Sequence, residues 1–472
     1  MAKLALLIRG TALLLCLLVF QAASTSDGQA SVSRACIGSE RDALLSFKAS
    51  LLDPAGHLSS WQGEDCCQWK GVRCSNRTGH LIKLNLRKGF SGRIPSQLGN
   101  LSKLQYLDVS GNYYPDVALA WLPRLSLLRH LDMSNVDLGS ARDWFQRVNM
   151  LPSLKVLRLS VCGLNGTMSA STSISNLTHL EVLDMSGNTF HTSLKHAWFW
   201  NLTGLKELHL SDSGLEGSIP SDLANMASLQ VIDFSWNNLV GLIPKKLENL
   251  CNLASMRFSG NNIGLSLEEF MERLPKCSWN TLQELTLGSA SMTGNLPIWI
   301  GNMTNLSILQ ADSNMLTGPL PVGVGALGNL KILDLSYNKF SGVLVEEHFA
   351  GLLNLEYLDL SYNSLRFAID KKWIPPFRLK VARFRSCLLG PNFPEWLKSQ
   401  SNIEVLVLSN ANLDDIIPDW FWVTFSQASF LQASGNKLHG SLPAQQSYLR
   451  IKTTTIVCRN LWQLSGSTRS HW

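Results

Sequence analysis

The sequence predicts an α/β solenoid, in which short units stack so that their strands form one parallel β-sheet on the concave face. Three observations lead to this prediction. The phrase L-x-x-L-x-L recurs along most of the 472 residues, usually every 24 or 25 residues. A second phrase, G-x-[IL]-P, follows it in many units, and a cysteine-rich segment with an amphipathic helical pattern precedes the first unit. Such a chain forms one long repetitive domain.

Residues 1–24 have the composition of a secretory signal peptide. Lys3 and Arg9 are followed by an apolar stretch from Ala12 to Phe20 and then by small residues near Ala23, where cleavage is expected. The apolar stretch is about half of the ~20 residues that a membrane span requires, which disfavours a membrane anchor. No later stretch is long and apolar enough to span a bilayer, so we expect a secreted protein.

The composition fits an exported, folded glycoprotein. Hydrophobic residues make up 45% of the chain and charged residues 16%, and the net charge of +6 is scattered, which argues against nucleic-acid binding. Export permits disulfides among the ten cysteines, of which Cys16 lies in the signal peptide. Seven N-x-S/T sequons are candidate glycosylation sites, at Asn76, Asn100, Asn165, Asn176, Asn201, Asn302 and Asn305.

The recurring phrase defines about fifteen units within residues 81–443, and its period is that of a leucine-rich-repeat solenoid. The units begin at Leu81, Leu104, Leu128, Leu154, Leu180, Leu205, Leu229, Leu253, Leu282, Leu306, Leu330, Leu355, Leu379, Ile403 and Ala428. No unit can bury its own leucines, so the units must stack.

The unit LKILDLSYN at 330–338 shows the expected local structure. Leu330, Leu333 and Leu335 should point inward, and Asn338 should turn its amide inward to backbone groups that the turn leaves unpaired. The outer face of the strand should carry Ile332, Asp334, Ser336 and Tyr337. Cys162 and Cys387 occupy the asparagine position of their units, where we expect buried, unreactive thiols.

The second phrase, as in SGRIP at 91–95 and TGPLP at 317–321, predicts the convex side. Glycine permits a turn and proline prevents a long helix, so short extended pieces and 3₁₀ turns are expected. In this phrase the chain resembles plant-type leucine-rich repeats, which implies a superhelix of that type.

Residues 25–80 are expected to cap the first unit. Ser39 to Asp42 have the S-x-x-[DE] form of a capping box, and Ala43, Leu44, Phe47 and Leu51 follow at helical spacing. The cysteines have no spacing typical of a metal site, and sequence alone leaves three pairings of the four cap cysteines open.

The segment SSWQGEDCCQWKGVRC resembles the amino-terminal cap of plant leucine-rich-repeat receptors. That resemblance implies the disulfides Cys36–Cys66 and Cys67–Cys74. The phrases NLCNL at 249–253 and LPKCSWNTL at 274–282 are similar to phrases of plant receptor-like proteins, and on that basis we expect a Cys251–Cys277 disulfide.

No catalytic motif or cofactor signature occurs, so we expect a binding protein and not an enzyme. The aspartates at the fifth position of many units are expected to be ordinary repeat residues. Ligand contacts are expected where the outward positions carry aromatic residues, arginine or histidine. These candidates are Arg158, His209, Trp236, Arg257, Tyr337, Tyr362, Arg383 and Arg385. Lys83, Arg87 and Lys88 could meet an anionic cell-wall polysaccharide, although a solvated basic edge is the simpler interpretation.

The stretch 385–422, together with the cap, resembles plant receptor-like proteins of the subgroup that perceives microbial elicitors. The resemblance implies a receptor without a kinase, an extracellular protein or peptide ligand, and receptor-kinase co-receptors. Residues 444–472 continue no repeat, so we expect a non-repeat tail on a truncated receptor that is secreted as written. A full-length product with a membrane helix would lie at the plasma membrane. The alternatives are a secreted protein similar to polygalacturonase inhibitors and a non-functional fragment.

Overall fold

The computed structural model describes residues 36–440, except residues 88, 116, 167, 169–174, 242, 245 and 246. The expected signal peptide, the 444–472 tail and Lys88 lie outside the described residues. Within the described part of the chain, no helix has both the length and the apolar character of a membrane span.

One 16-stranded sheet runs along the concave face of the solenoid. Its first strand, in the cap, pairs antiparallel with the first repeat strand, and every later pair is parallel. The fifteen repeat strands correspond to the fifteen units of the sequence. The strands are Val72–Cys74, Leu81–Asn85, Tyr106–Asp108, His130–Asp132, Val156–Arg158, Val182–Asp184, Glu207–His209, Val231–Asp233, Ser255–Arg257, Glu284–Thr286, Ile308–Gln310, Ile332–Asp334, Tyr357–Asp359, Val381–Arg383, Val405–Val407 and Phe430–Gln432.

Stacked leucines form the core behind this sheet. Leu309, Leu333 and Leu358 occupy the same register position in three successive strands, and all are buried. Leu330 and Leu335 are also fully buried, as the sequence predicted. Burying a leucine side chain stabilises by about 1.5–3 kcal/mol, and here the neighbouring units supply much of the cover.

Short 3₁₀ helices dominate the convex side, as the sequence predicted. Pro95, Pro220, Pro297 and Pro321 each stand directly before one, so proline marks where the helix starts. The 3₁₀ helices are Cys66–Gln68, Ser96–Asn100, Leu122–Arg124, Leu194–His196, Trp198–Asn201, Ser221–Asn225, Lys276–Asn280, Ile298–Asn302, Val322–Ala326, Glu346–His348 and Glu395–Ser399. The α-helices are Gly38–Ser50, Trp144–Val148, Leu267–Glu272 and Asp419–Thr424.

Smaller sheets form beside the glycine-containing phrases. A parallel four-stranded sheet contains Thr293–Asn295, Met315–Gly318, Lys339–Leu344 and Ser364–Phe367. Glu216–Gly217 pairs with Asn238–Leu239, and Leu51–Leu52 of the cap pairs antiparallel with Ser91–Gly92 of the first unit. These strand pairings provide hydrogen-bond partners for backbone N–H and C=O groups on the flank of the solenoid.

Inward-facing asparagines tie many of the units to their predecessors. Asn338 Nδ2 donates to the carbonyl oxygens of Ala311 in the preceding unit and Leu335 in its own, at 2.8 and 3.1 Å. Its Oδ1 accepts from the backbone N–H of Leu316, at 3.0 Å. One side chain therefore satisfies buried backbone groups of two units, as the sequence predicted. We call this series, at the ninth position of the units, the asparagine ladder.

Other residue types substitute for asparagine in the ladder. The Cys162 thiol donates to the carbonyl oxygen of Met133 at 3.2 Å, and the Cys387 thiol donates to that of Leu360 at 3.0 Å. Ser213 makes the equivalent bond to Met185 at 3.1 Å. Both thiols are free and buried, and burial raises the pKa of each to about 12. They are therefore protonated donors at neutral pH.

The cap differs from the sequence prediction at the start of its helix. The helix begins at Gly38, and Ile37 precedes it without a side-chain cap, so the predicted capping box at Ser39 is wrong. Glu40 is instead buried, hydrogen-bonded to the His80 ring at 2.9 Å and to the backbone N–H of Leu81 at 2.7 Å. The carboxylate thus fixes the cap helix to the first repeat strand.

The structure contains the three disulfides that the resemblance implied. Cys36–Cys66 and Cys67–Cys74 hold the cap, whose Trp61 and Trp69 rings are buried and stacked. Cys251–Cys277 joins the end of the preceding unit to the 3₁₀ helix of the longest unit, which begins at Leu253. That unit also carries the helix Leu267–Glu272, which Ser266 caps by accepting from the Glu269 N–H. The disulfide therefore restrains the extra length of this unit.

We predict that Asn338→Ala lowers the free energy of unfolding by about 3 kcal/mol, because buried backbone groups of two units lose their partner. Asn354→Ala is the control, since its exposed amide donates only to Gly328, at 2.8 Å, and its removal should cost about 0.5 kcal/mol. Urea unfolding followed by circular dichroism measures both. Equal losses in the two variants would contradict a special role for the ladder.

Candidate ligand-binding surface

The aspartates of the concave sheet serve the fold. Asp334 Oδ1 accepts from the backbone N–H and the hydroxyl of Ser336, at 3.1 and 2.7 Å. Asp108 bonds Ser110 in the same way. Each carboxylate thereby closes the turn at the end of its own strand. Asp334 and Ser336 are both buried, so this row is little available to a ligand, which agrees with the expectation that the aspartates are ordinary repeat residues.

Four of the predicted ligand-binding residues come together near the C-terminal end of the sheet. The rings of Tyr337 and Tyr362 stack, with centroids 4.2 Å apart and planes at 25°. The Arg385 guanidinium lies 5.3 Å from the Tyr362 centroid. Arg383 occupies the same strand region, beside Tyr357. We call Tyr337, Tyr357, Tyr362, Arg383 and Arg385 the tyrosine–arginine patch.

The two arginines of the patch have different surroundings. Arg383 donates to the Tyr357 hydroxyl at 3.0 Å and lies 3.6 Å from the Asp359 carboxylate, and Tyr357 donates to Asp334 at 3.2 Å. Burial and the nearby Asp334 charge raise the pKa of Tyr357, so its hydroxyl remains a donor. Burial also raises the pKa of Asp359. Arg383 is therefore held in a network of the protein itself.

Arg385, unlike Arg383, is an arginine of the patch whose charge remains available to a ligand. Among the described residues it makes no ion pair, and its Nε is buried without a hydrogen-bond partner. The adjacent Tyr337 is 54% exposed. An exposed aromatic face beside an uncompensated guanidinium suits a ligand that carries an apolar group next to an anionic one.

The other candidates on the central strands are separate from this patch. Arg257 binds Glu284 through two hydrogen bonds of 2.8 and 2.6 Å and lies 3.7 Å from Asp233. Burial acts to raise the pKa of Glu284, but the bonds from Arg257 and Ser255 outweigh it, so the pKa lies below its usual value. His209 lies 3.4 Å from Glu207. Trp236 is 65% exposed and remains open to a partner.

Arg158 lines a second concavity near the N-terminal end of the sheet. This groove, of about 400 Å³, also contains Arg87, Tyr106, His130 and three aspartates, Asp108, Asp132 and Asp184. We call it the histidine groove. The Tyr106 and His130 rings stack at 4.1 Å, and the Lys83 ammonium lies 4.1 Å from the Tyr106 centroid on the same sheet face. The groove therefore mixes charges of both signs.

His130 is held in its neutral form within this groove. Burial lowers its pKa, the Arg158 and Lys83 charges lower it further, and Asp132 and Asp108 act in the opposite sense. Its Nε2 is buried without a hydrogen-bond partner. Protonation of His130 is therefore disfavoured, because burial and the Arg158 and Lys83 charges outweigh the attraction of Asp132 and Asp108.

The sequence prediction missed Tyr106, His130 and Tyr357, although Tyr106 contacts Lys83, Tyr357 contacts Arg383, and His130 stacks on Tyr106. Each occupies the third position of its unit, at the start of the concave strand, where Ile332 stands in the reference unit. The available signal was an aromatic residue at this outward position. The seven sequon asparagines are all exposed, which is the accessibility that glycosylation needs.

Comparisons with known proteins agree on the architecture. A family model described as leucine rich repeat N-terminal domain matches residues 37–75, and one described as leucine-rich repeat region matches residues 160–415. Receptor-like protein EIX1 of Solanum lycopersicum is 30% identical, with 88% of this chain and 54% of the relative covered. Receptor-like protein 13 of Arabidopsis thaliana is 35% identical, with 83% and 42% covered. This chain thus spans about half the length of the curated relatives it matches.

A solved structure of similar architecture contains a peptide. The ectodomain of the Arabidopsis receptor kinase HAESA, in complex with an N-terminally extended IDA peptide hormone ligand, superposes with a TM-score of 0.70 at 28% identity. The match covers 88% of this chain and 72% of that chain. The likeness therefore extends over most of both solenoids.

We predict that the free energy of unfolding falls as the pH is lowered from 7 towards 5, and that His130→Gln reduces this fall. An unfolded histidine takes up a proton near pH 6.5, whereas folded His130 resists it, so acid favours the unfolded chain. Urea unfolding at several pH values measures the effect. The exposed His196→Gln should keep the wild-type pH dependence. An unchanged slope in His130→Gln would contradict the prediction.

Proposed function

This chain belongs to the leucine-rich-repeat family, and from that premise we propose that it is an extracellular recognition protein of the plant receptor-like class. Its ligand is a peptide, or a peptide segment of a protein, that binds the concave surface. We further propose that its partner is a co-receptor with a kinase, because the resemblance to receptor-like proteins implies a partner that signals in defence or development.

The tyrosine–arginine patch is the observation that carries this proposal. Within it, Arg385 has no anionic partner among the described residues, and the Tyr337 ring is exposed. Aromatic residues and arginine are the side chains that most often dominate protein recognition. The receptor-like names of the relatives and the peptide in the HAESA ectodomain structure support the same function. Three disulfides and seven exposed sequons support an extracellular location.

The proposal is tested with a phage-displayed library of random linear peptides of about twelve residues, selected on the purified full chain. We predict that peptides are enriched, and that Arg385→Glu weakens their binding at least about tenfold, because an attractive charge becomes repulsive. Isothermal titration of synthetic copies measures the dissociation constants.

Lys398→Glu is the matched control, since it makes the same change of charge on the exposed convex helix of the same unit. Its peptide affinity should equal that of the wild type. A selection that enriches no peptide would count against peptide recognition. Equal weakening by the two charge reversals would show that the effect is not specific to the concave patch.

A further inference from the structure

The eighth position of the units has an unusual backbone conformation in every unit after the first. In fourteen successive units this residue has a positive φ, between 50° and 74°. The residues are Gly111, Asn135, Val161, Gly187, Asp212, Trp236, Gly260, Ser289, Ser313, Tyr337, Tyr362, Ser386, Asn410 and Gly435. They lie one beside another at the end of the concave strands. We call this row the eighth-position column.

Half of the units fill the column with residues that tolerate this conformation, since seven of the fourteen positions hold glycine, asparagine or aspartate. Three more positions hold serine, whose side chain is small. The remaining four hold Val161, Trp236, Tyr337 and Tyr362. A left-handed conformation is strained for side chains of this kind, and most strongly for a β-branched or bulky one. These four residues therefore depart from a simpler solution that the same protein uses elsewhere.

Core packing does not account for Val161, Trp236 and Tyr337, which are 56%, 65% and 54% exposed. Tyr362 is half-buried and stacks on Tyr337. Each leans towards the next unit, where the neighbour in the column is small or aromatic. A Cβ at Gly260 would lie 2.5 Å from Cε3 of Trp236, so the indole lies against the glycine backbone. Tyr337 lies on Tyr362 in the same way. The rings thus present a fixed face outward.

Backbone strain that burial does not offset is typical of functional sites. We infer that Trp236 and the Tyr337–Tyr362 pair are two anchor points for one extended peptide that runs along the eighth-position column. This inference rests on the proposed function and specifies the ligand. The peptide carries two apolar or aromatic side chains, one for each anchor, and an acidic group that reaches Arg385.

The spacing of the units defines the distance between the anchors. Trp236 and Tyr337 lie four units apart, or about 19 Å at about 4.8 Å per strand. An extended chain covers this distance in about six residues at about 3.3 Å each. Between the anchors, beyond Gly260, which the Trp236 indole covers, the column holds Ser289 and Ser313, whose small side chains leave room for the peptide backbone. Arg385 lies beyond the second anchor, against Tyr362.

The test uses the peptides that the library selection enriches on the full chain. We expect them to share two apolar or aromatic residues about six positions apart, with an acidic residue outside the pair. Trp236→Ser and the double variant Tyr337→Ser, Tyr362→Ser should each weaken binding at least about tenfold, because each removes one anchor. Ile298→Ser is the control, since this isoleucine is 83% exposed on the convex side.

A second measurement examines the strain without any ligand. Val161→Asn and Trp236→Asn should raise the melting temperature by about 2 °C, because asparagine tolerates a positive φ and already occupies the column at two positions. A lower melting temperature in both variants would overturn the argument from strain.

The outcomes separate this inference from the function on which it rests. Peptides that bind the wild type, depend on Arg385 and bind both anchor variants unchanged would overturn the two-anchor inference and leave the proposed function standing. An empty selection would overturn both. Enriched peptides with the expected spacing and a loss of affinity in both anchor variants would establish the column as the ligand track.

Discussion

The asparagine ladder is the interaction on which the rest of the solenoid depends. Burial of the leucines drives the units together, but hydrophobic contacts are non-directional and would tolerate small shifts of one unit relative to the next. The ladder amide accepts and donates at fixed places in two units, so it fixes where one turn of the chain lies on the next. Where units carry this amide, as in the three strands around Leu333, the equivalent positions of consecutive strands are aligned. The concave surface is consequently a set of straight columns, and side chains some 25 residues apart in sequence become neighbours.

The alignment of the units in columns determines which charged side chains of the concave surface remain available to a ligand. Arg383 and Arg385 stand two residues apart on the same face, yet their neighbours in the preceding unit differ. Tyr357 and Asp359 bind Arg383, whereas the Arg385 guanidinium lies over the Tyr362 ring and makes no ion pair within the described part of the chain. A similar contrast separates Arg257, bound by Glu284, from the freely exposed Trp236. The chemistry of a concave residue therefore depends on its column neighbours more than on its own type.

The repeat pattern was sufficient to predict the sheet, the buried leucines, the inward amides and the convex 3₁₀ helices, because each follows from the local requirements of one unit. It was insufficient where a side chain chooses a partner in another element. Ser39 has the sequence of a helix cap, but Glu40 binds the first repeat strand and the helix starts earlier.

The candidate surface was predicted only in part for the same reason. The sequence of each single unit predicts that Tyr337, Tyr362 and Arg385 face outward, but the contacts among them depend on the register between units. His130 was missed because only its column neighbour Tyr106 makes it part of a groove. The strained backbone of the eighth position has no sequence signal at Val161 or Trp236, which are poor choices for that conformation.

The two cysteines of the asparagine ladder allow local unfolding of the solenoid to be measured at two positions. Cys162 lies in the fourth of the fifteen units and Cys387 in the thirteenth, and each is buried and hydrogen-bonded to the preceding unit. A thiol with a pKa of about 12 that is shielded from solvent reacts with an alkylating agent only after its unit opens. The rates of alkylation at the two sites therefore report separately on local unfolding in the N-terminal and C-terminal halves. In a repeat protein each unit contacts only its neighbours, so one end can unfold while the other end stays folded. In this chain, alkylation of one cysteine measures the unfolding of each end.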